Sequence, residues 1–235
     1  MRDTTFRFKQ FSCKHGQSSM KIGVDAVLLG AWANVDGKRI LDVGTGCGVI
    51  ALMCAQRNEK AKILSIDIDA PSVAEANENF EASPWGDRLE VENINFIDLI
   101  DRQFDLIISN PPYFDAGVSN LESPRLKARH KDQLSPESLL LHGSKLLAVK
   151  GRIAMIVPAD QLDRLMEISL SADLFLRRGC RVRGHRGVEV KRVLLEFQKG
   201  TIPSTPYLDE LTLEETPGEP TQQYLDLCRD FYLKF

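Results

Sequence analysis

Three glycines at alternate positions, Gly44, Gly46 and Gly48, separate the apolar run Arg39-Ile40-Leu41-Asp42-Val43 from a helix-forming stretch over 48–58. Glycine lets a backbone turn tightly and pass close beneath another group, so a strand ending in such a loop and leading into a helix opens a strand–helix–strand unit. The pattern continues downstream. Residues 62–67 read as a second strand and 71–82 as a helix rich in Ala and Glu. Residues 89–91 open a third strand, 104–109 form a fourth and 152–157 a fifth, with helices over 136–147 and 159–172. Apolar strands alternating with helices predict an α/β fold: a doubly wound, mostly parallel sheet of seven strands covered on both faces. Residues 174–183 and 188–198 are extended stretches joined through Gly184-His185-Arg186-Gly187 with no helix between them. They predict a C-terminal antiparallel hairpin that closes the sheet. Residues 201–221 are expected to be irregular, and 221–233 a short terminal helix. The 235 residues fit one domain, with a basic segment and helix over 1–36, the sheet core over 37–198 and an extension over 199–235.

The formal net charge of −3 hides segregation. Residues 1–21 carry a net +4, residues 177–192 have seven bases against one acid, and residues 201–235 have seven acids against two bases. Such clustering on an otherwise acidic chain points to a polyanion-binding face, with solvated surface charge as the alternative. The five cysteines, 13, 47, 54, 180 and 228, are scattered without a C-x-x-C. They predict reduced thiols in a cytoplasmic protein and support neither a metal site nor a disulfide framework. No apolar run approaches ~18 residues and no leader pattern opens the chain, so no membrane association is expected, and the protein is expected to be a monomer.

The loop Asp42-Val43-Gly44-Thr45-Gly46-Cys47-Gly48 is G-x-G-x-G, not the G-x-G-x-x-G of pyrophosphate loops. Asp67 ends the second strand 25 residues after Asp42, where an acid can accept both hydroxyls of an adenosine ribose. Together these residues predict a nucleoside site. They resemble the first and second motifs of the class I S-adenosylmethionine-dependent methyltransferases, which have a Rossmann-like fold. The resemblance implies S-adenosylmethionine as cofactor, held by Asp42, Gly44, Gly46, Gly48, Asp67 and the adjoining Ile68. The family's third motif falls at Asn95-Phe96, where an amide replaces the usual acid, and Asp98 is the competing contact to the adenine.

The fourth strand ends in Ser109-Asn110-Pro111-Pro112-Tyr113-Phe114. Proline fixes φ and lacks an N–H, so two in succession stop the ladder and stiffen the turn. An exocyclic amine has its lone pair delocalised into the ring. Acceptors aimed at both N–H groups, the Asn110 side-chain oxygen and the Pro111 carbonyl, favour the nitrogen as positive charge develops on it. Tyr113 offers a face for stacking on a base, supported by Phe114. Asn110, Pro111, Pro112 and Tyr113 are therefore the expected catalytic residues, Asn110 is expected to contact the cofactor as well, and N-P-P-Y resembles the motif of methyltransferases acting on planar nitrogens.

Further stretches narrow that resemblance: F-x-F-K-Q-F at 6–11, M-K-I-G-V-D-A-V-L-L-G-A-W at 20–32, S-P-W at 83–85, K-R-V-L-L-E-F at 191–197 and D-F-Y-L-K-F at 230–235. With Arg125-x-x-x-Arg129 and the run around N-P-P-Y, they are similar to the bacterial tRNA(Val) adenine-37 N6-methyltransferases over nearly the whole chain. The resemblance implies tRNA as partner, Lys21 near the cofactor carboxylate, Gly23 beside it and Asp25 opening a helix. The departures from the family pattern are Gly23-Val24-Asp25 and Asn95. Substrate contacts are expected from Arg125, Lys127 and Arg129 in a loop over 115–135, and from Arg181, Arg183 and Arg186 in the hairpin. Two rival readings stand beside this one. A glutamine N5-methyltransferase shares N-P-P-Y but carries a helical domain ahead of the sheet, and the other is an RNA-binding module without catalysis.

Overall fold

The computed structural model describes residues 4–112, 134–200 and 206–234. The chain opens with an antiparallel pair, β1 (Thr5–Arg7) and β2 (Ser12–Lys14), followed by α1 (Val24–Trp32). Four strand-led steps then follow: β3 (Arg39–Val43) with α2 (Val49–Arg57), β4 (Lys62–Asp67) with α3 (Ala70–Glu81), β5 (Leu89–Asn93), and β6 (Phe104–Ser109). Beyond them lie α4 (Pro136–Leu146), β7 (Leu147–Pro158), α5 (Leu162–Ser171), β8 (Leu174–His185) and β9 (Arg192–Lys199). The chain finishes with β10 (Tyr207–Thr216), β11 (Glu219–Pro220) and α6 (Gln222–Cys228).

The large sheet has the order β11-β10-β8-β9-β7-β6-β3-β4-β5. Its central strands β3, β4 and β6 are apolar on both faces, and the twofold repeat of a strand sends neighbours to opposite sides. Ile40, Ile63, Leu106 and Ile108 join one buried cluster with residues of α1 and α2, whereas Leu41, Leu64 and Ile107 join a second with α4 and α5. The chain builds β3, β4 and β5 outward in one direction, then crosses back to lay β6 on the other side of β3. The order therefore reverses between β3 and β6, and in open α/β sheets ligands bind at that reversal, beyond the carboxyl ends of the strands.

The doubly wound α/β class agrees with the sequence reading, and β8 and β9 form the expected antiparallel hairpin. The strand count does not agree: among the described residues the sheet has nine strands rather than seven. The hairpin does not close it, because β9 lies between β7 and β8, and β10 adds beyond β8 in parallel. Residues 207–216, expected to be irregular, are thus a strand, with only Leu211 and Leu213 buried.

Arginines on three other elements fix the far end of α1, which has no basic residue in its own last turn. Arg57 donates to the carbonyls of Gly30 at 2.8 Å and Ala33 at 2.7 Å, and Arg152 donates to Asn34 at 3.2 Å. Arg178 donates to Trp32 O at 2.7 Å and lies 3.9 Å over the Trp32 ring. Cations on the last carbonyls of a helix satisfy orphan acceptors and oppose its dipole. Fully buried Glu196 completes the cluster, accepting from Asn34 N at 3.1 Å and pairing with Arg178 at 3.4 Å.

Candidate cofactor and methyl-transfer site

β3 ends in the glycine loop, and the chain takes left-handed φ values of 69° at Gly44, 55° at Gly46 and 84° at Gly48. Two of these positions show why glycine is needed. A Cβ on Gly48 would come within 2.5 Å of the Phe80 ring on α3, so that glycine lets the loop lie against the helix. A Cβ on Gly46 would meet nothing within 4 Å, so there the missing side chain leaves open space above the backbone. Asp42, fully buried, accepts from Thr45 Oγ1 at 2.6 Å and holds the turn from below. Ser109 at the end of β6 donates to Val43 O at 2.7 Å, tying the Asn110 turn to the root of the loop.

A cavity of about 330 Å³ opens above this reversal point. Val43, Gly44 and Gly46 come from the loop after β3, Asp67, Ile68 and Asp69 from the end of β4, and Ile94, Asn95 and Phe96 from the end of β5. Asn110 and Pro112 come from the turn after β6, while Ser19, Met20 and Leu134 complete the wall. Asp67 sits at the centre of the arrangement: Oδ2 accepts from Gly46 N at 2.9 Å and Oδ1 from Asp69 N at 2.9 Å. A carboxylate has about four lone-pair sites, so each oxygen keeps capacity toward a ligand. A larger cavity of about 590 Å³ lies at the opposite edge of the sheet, among Arg39, Lys62, Arg88 and Arg102 with Asp87 and Asp101. It holds none of the loop residues and is not the reversal-point cleft.

Of the residues expected to contact cofactor, Gly44, Gly46, Asp67, Ile68, Asn95, Phe96 and Asn110 line the cavity. Asp42, Gly48, Lys21 and Gly23 do not. Asp42 and Gly48 shape the loop from beneath. The Lys21 ammonium donates to the carbonyls of His15 at 2.5 Å and Gly16 at 3.0 Å, bracing the segment ahead of α1. Gly23 is the residue before α1, with an ordinary extended backbone. Between Asn95 and Asp98, only Asn95 lines the cavity, where it also accepts from Ile97 N at 3.3 Å. Asp25 does fall in the first turn of α1, but its carboxylate accepts from Arg192 Nε at 2.8 Å. Pro111 is buried and does not line the cavity, whereas Pro112 does. Tyr113, Phe114, Arg125, Lys127 and Arg129 lie outside the described residues.

The hairpin arginines have a different environment from the open basic face that the sequence implied. Parallel β10 sets Glu210 opposite Arg181 and Glu214 opposite His185. Arg183 pairs with Glu210 at 3.4 Å and Arg186 donates to Glu215 at 2.9 Å. Among the described residues Arg181 makes no ion pair. Two of the hairpin's bases, Arg183 on β8 and Arg186 in the turn after it, are thus paired with acids of β10.

Sequence reasoning missed Ser19, Ile66, Asp69, Ile94 and Leu134 in the cavity wall. Asp69 had a legible signal. Its side chain accepts from Ser72 N at 3.0 Å as the N-cap of α3, with proline following at the helix start.

Burial pushes the Asp42 carboxyl up to about 7, against the opposing hydrogen bond from Thr45. The unfolded value is about 3.9. Between those values the folded chain keeps a proton that the unfolded chain has lost, so this group makes stability fall as pH rises from about 4 to 7. Above 7 the full cost is present and the slope ends. Asp42→Asn removes that dependence. Urea unfolding is expected to show the variant gaining on wild type by about 1–3 kcal/mol between pH 5 and pH 8. A constant difference across that range would contradict the assignment.

The methyltransferase small domain family matches residues 17–159. In overall shape the chain is similar to a solved predicted O-methyltransferase of Agrobacterium tumefaciens, with a TM-score of 0.68 at 20% identity over 88% of this chain and 96% of that one. That likeness establishes the class I methyltransferase fold. Curated relatives are nearer in sequence. The tRNA1(Val) (adenine(37)-N6)-methyltransferase of Trichodesmium erythraeum is 40% identical over 241 residues, and that of Christiangramia forsetii 39% identical over 243. In both cases the match covers 100% of each chain. With glycine loop, strand-end acid and Asn110 turn gathered in one cleft, and with identity of this degree from end to end, the chain belongs to the tRNA1(Val) (adenine(37)-N6)-methyltransferase family.

Proposed function

We propose that this protein methylates the exocyclic N6 of an adenine in tRNA, adenine 37 beside the anticodon of a valine tRNA being the position its relatives' name specifies. One observation carries the reading: Asn110 and Pro112 share a cleft of about 330 Å³ with Gly44, Gly46 and Asp67. An amide acceptor on a proline-stiffened turn thereby faces the same space as a nucleoside-type acid.

The cleft residues fit S-adenosylmethionine. Open space above Gly46 leaves room for a ligand against the backbone. Asp67 has acceptor capacity for ribose hydroxyls, and Ile68, Ile94 and Phe96 supply apolar walls for a flat base, beside the amide of Asn95. When bound, S-adenosylmethionine supplies an electrophilic methyl group on a sulfonium sulfur. The chain's own residues orient the acceptor. The Asn110 oxygen and the Pro111 carbonyl accept the two N–H groups of the amine, holding its lone pair toward the donor. Their bonds strengthen as positive charge develops on nitrogen, and the surplus proton leaves afterwards to water.

The experiment is methylation of bulk tRNA from cells lacking this activity, followed by nucleoside mass spectrometry. N6-methyladenosine is expected, at the position 3′ to a valine anticodon. If methyl appears only on a glutamine of an added translation factor, the RNA reading is wrong.

A further inference from the structure

The buried residues of α3 are Ser72, Glu75, Ala76, Asn79 and Phe80, spaced as one helix face. Such a face is ordinarily apolar, and a carboxylate on it is costly without partners. Glu75, only 2% exposed, finds them in three successive backbone amides. Oε1 accepts from Gly16 N at 2.6 Å and Gln17 N at 2.9 Å, and Oε2 accepts from Ser18 N at 2.7 Å. Consecutive N–H groups converging on one anion form a nest, and charge-assisted bonds of this kind are about twice as strong as neutral ones.

The neighbours on the same face extend the grip. Ser72 Oγ accepts from Ser19 N at 3.3 Å while donating to Asp69 Oδ2 at 2.6 Å. Asn79 accepts from Lys14 N at 2.8 Å, and its Nδ2 donates to Lys14 O and to Cys47 O, each at 2.8 Å. One helix face therefore holds the 14–19 segment and, through Cys47, the glycine loop. The next residues of that segment, Ser19 and Met20, line the cleft.

We infer that Glu75 is the positioning residue for this wall of the site: its carboxylate fixes Gly16–Ser18 and thereby sets Ser19 and Met20 over the bound cofactor. The inference rests on the proposed cofactor reading and deepens it. Glu75 touches no ligand; it acts through the amides it holds. Glutamine keeps the shape but has one acceptor oxygen, and its NH₂ group opposes an amide N–H.

Three measurements on wild type and Glu75→Gln test it: amide hydrogen exchange of the free protein, calorimetric affinity for S-adenosylhomocysteine, and steady-state kinetics with an anticodon stem-loop. Exchange is expected to accelerate at residues 16–19 while β3, β4 and α2 stay protected. The Kd for S-adenosylhomocysteine is expected to rise about 10–100-fold, the range that corresponds to losing one charged hydrogen bond. The loss falls on KM for the cofactor rather than on kcat. Ser72→Ala, a milder change that releases the Ser19 amide and the hydroxyl's bond to Asp69 while leaving the Glu75 nest intact, is expected to raise Kd about 3–10-fold and serves should Glu75→Gln fail to fold. Wild-type affinity in a variant whose 16–19 amides exchange freely would overturn the inference. So would faster exchange throughout the sheet with KM unmoved, the signature of a purely structural role. A wild-type protein that binds no S-adenosylhomocysteine would instead overturn the cofactor reading itself.

Discussion

Asn110→Ala is expected to lower kcat by about 10²–10³ while leaving cofactor Kd within a few-fold, the size of effect seen when one preorganised polar partner of a developing charge is removed. The geometry explains the asymmetry. Asn110 lines the cleft on a turn fixed by the Ser109–Val43 bond and followed by two prolines, so its position depends little on its own side chain. A neutral aromatic amine is a weak hydrogen-bond donor, and becomes a stronger one only as the new bond forms and charge appears on nitrogen. An interaction that strengthens in that way lowers kcat and kcat/KM together when it is lost. Single-turnover methylation of an anticodon stem-loop, with RNA and cofactor affinities measured separately, reads this directly. Methyl transfer at the wild-type rate would make the turn structural and remove the catalytic assignment.

What was legible in the sequence was what depends on local chemistry. Alternating glycines, a strand-end acid and a proline pair declare themselves within a few residues, and βα alternation brings their strand ends to one edge of a parallel sheet. The apolar strands β3, β4 and β6 were equally plain, being buried on both faces. What was not legible depends on partners distant in the chain. β10 reads as Tyr-Leu-Asp-Glu-Leu-Thr-Leu-Glu-Glu-Thr, with too few apolar positions to signal a sheet strand, because two of its acids pair with Arg183 of β8 and Arg186 just beyond it. Missing the acidic strand, sequence reasoning also missed the partners of Arg183 and Arg186. The polar stripe of α3 was hidden in the same way. Ser72, Glu75 and Asn79 look like the solvated side of an Ala- and Glu-rich helix until the backbone amides of residues 14–19 are laid against them. Backbone donors carry no sequence signature, so a buried carboxylate that they satisfy resembles an exposed one.

Asp67 carries the other large expectation, and it has two roles to separate. Its carboxylate holds the glycine loop through Gly46 N and the α3 entry through Asp69 N, both at 2.9 Å, and it is proposed to accept the ribose hydroxyls of the cofactor as well. Each charged hydrogen bond contributes about 1.5–3 kcal/mol, so Asp67→Ala is expected to weaken S-adenosylhomocysteine by about 10²–10³-fold, short of the full sum because water replaces part of what is lost. A fall in affinity alone does not prove the ribose contact, since a loosened loop would produce one too. The 2′-deoxy and 3′-deoxy analogues of S-adenosylhomocysteine distinguish the two. If Asp67 accepts from a hydroxyl, wild type loses affinity for the analogue lacking it, whereas Asp67→Ala binds that analogue and the parent nearly alike, giving a coupling between side chain and hydroxyl. If Asp67 only supports the loop, the alanine variant binds everything more weakly but still discriminates each analogue as wild type does. Asp67→Asn provides an intermediate case: one acceptor oxygen remains, and the amide group can donate to a hydroxyl oxygen but cannot accept from it. Its affinity is therefore expected to lie between the two, with discrimination kept for one hydroxyl and lost for the other. Equal discrimination by wild type and Asp67→Ala would leave the carboxylate as loop support and take the ribose away from it.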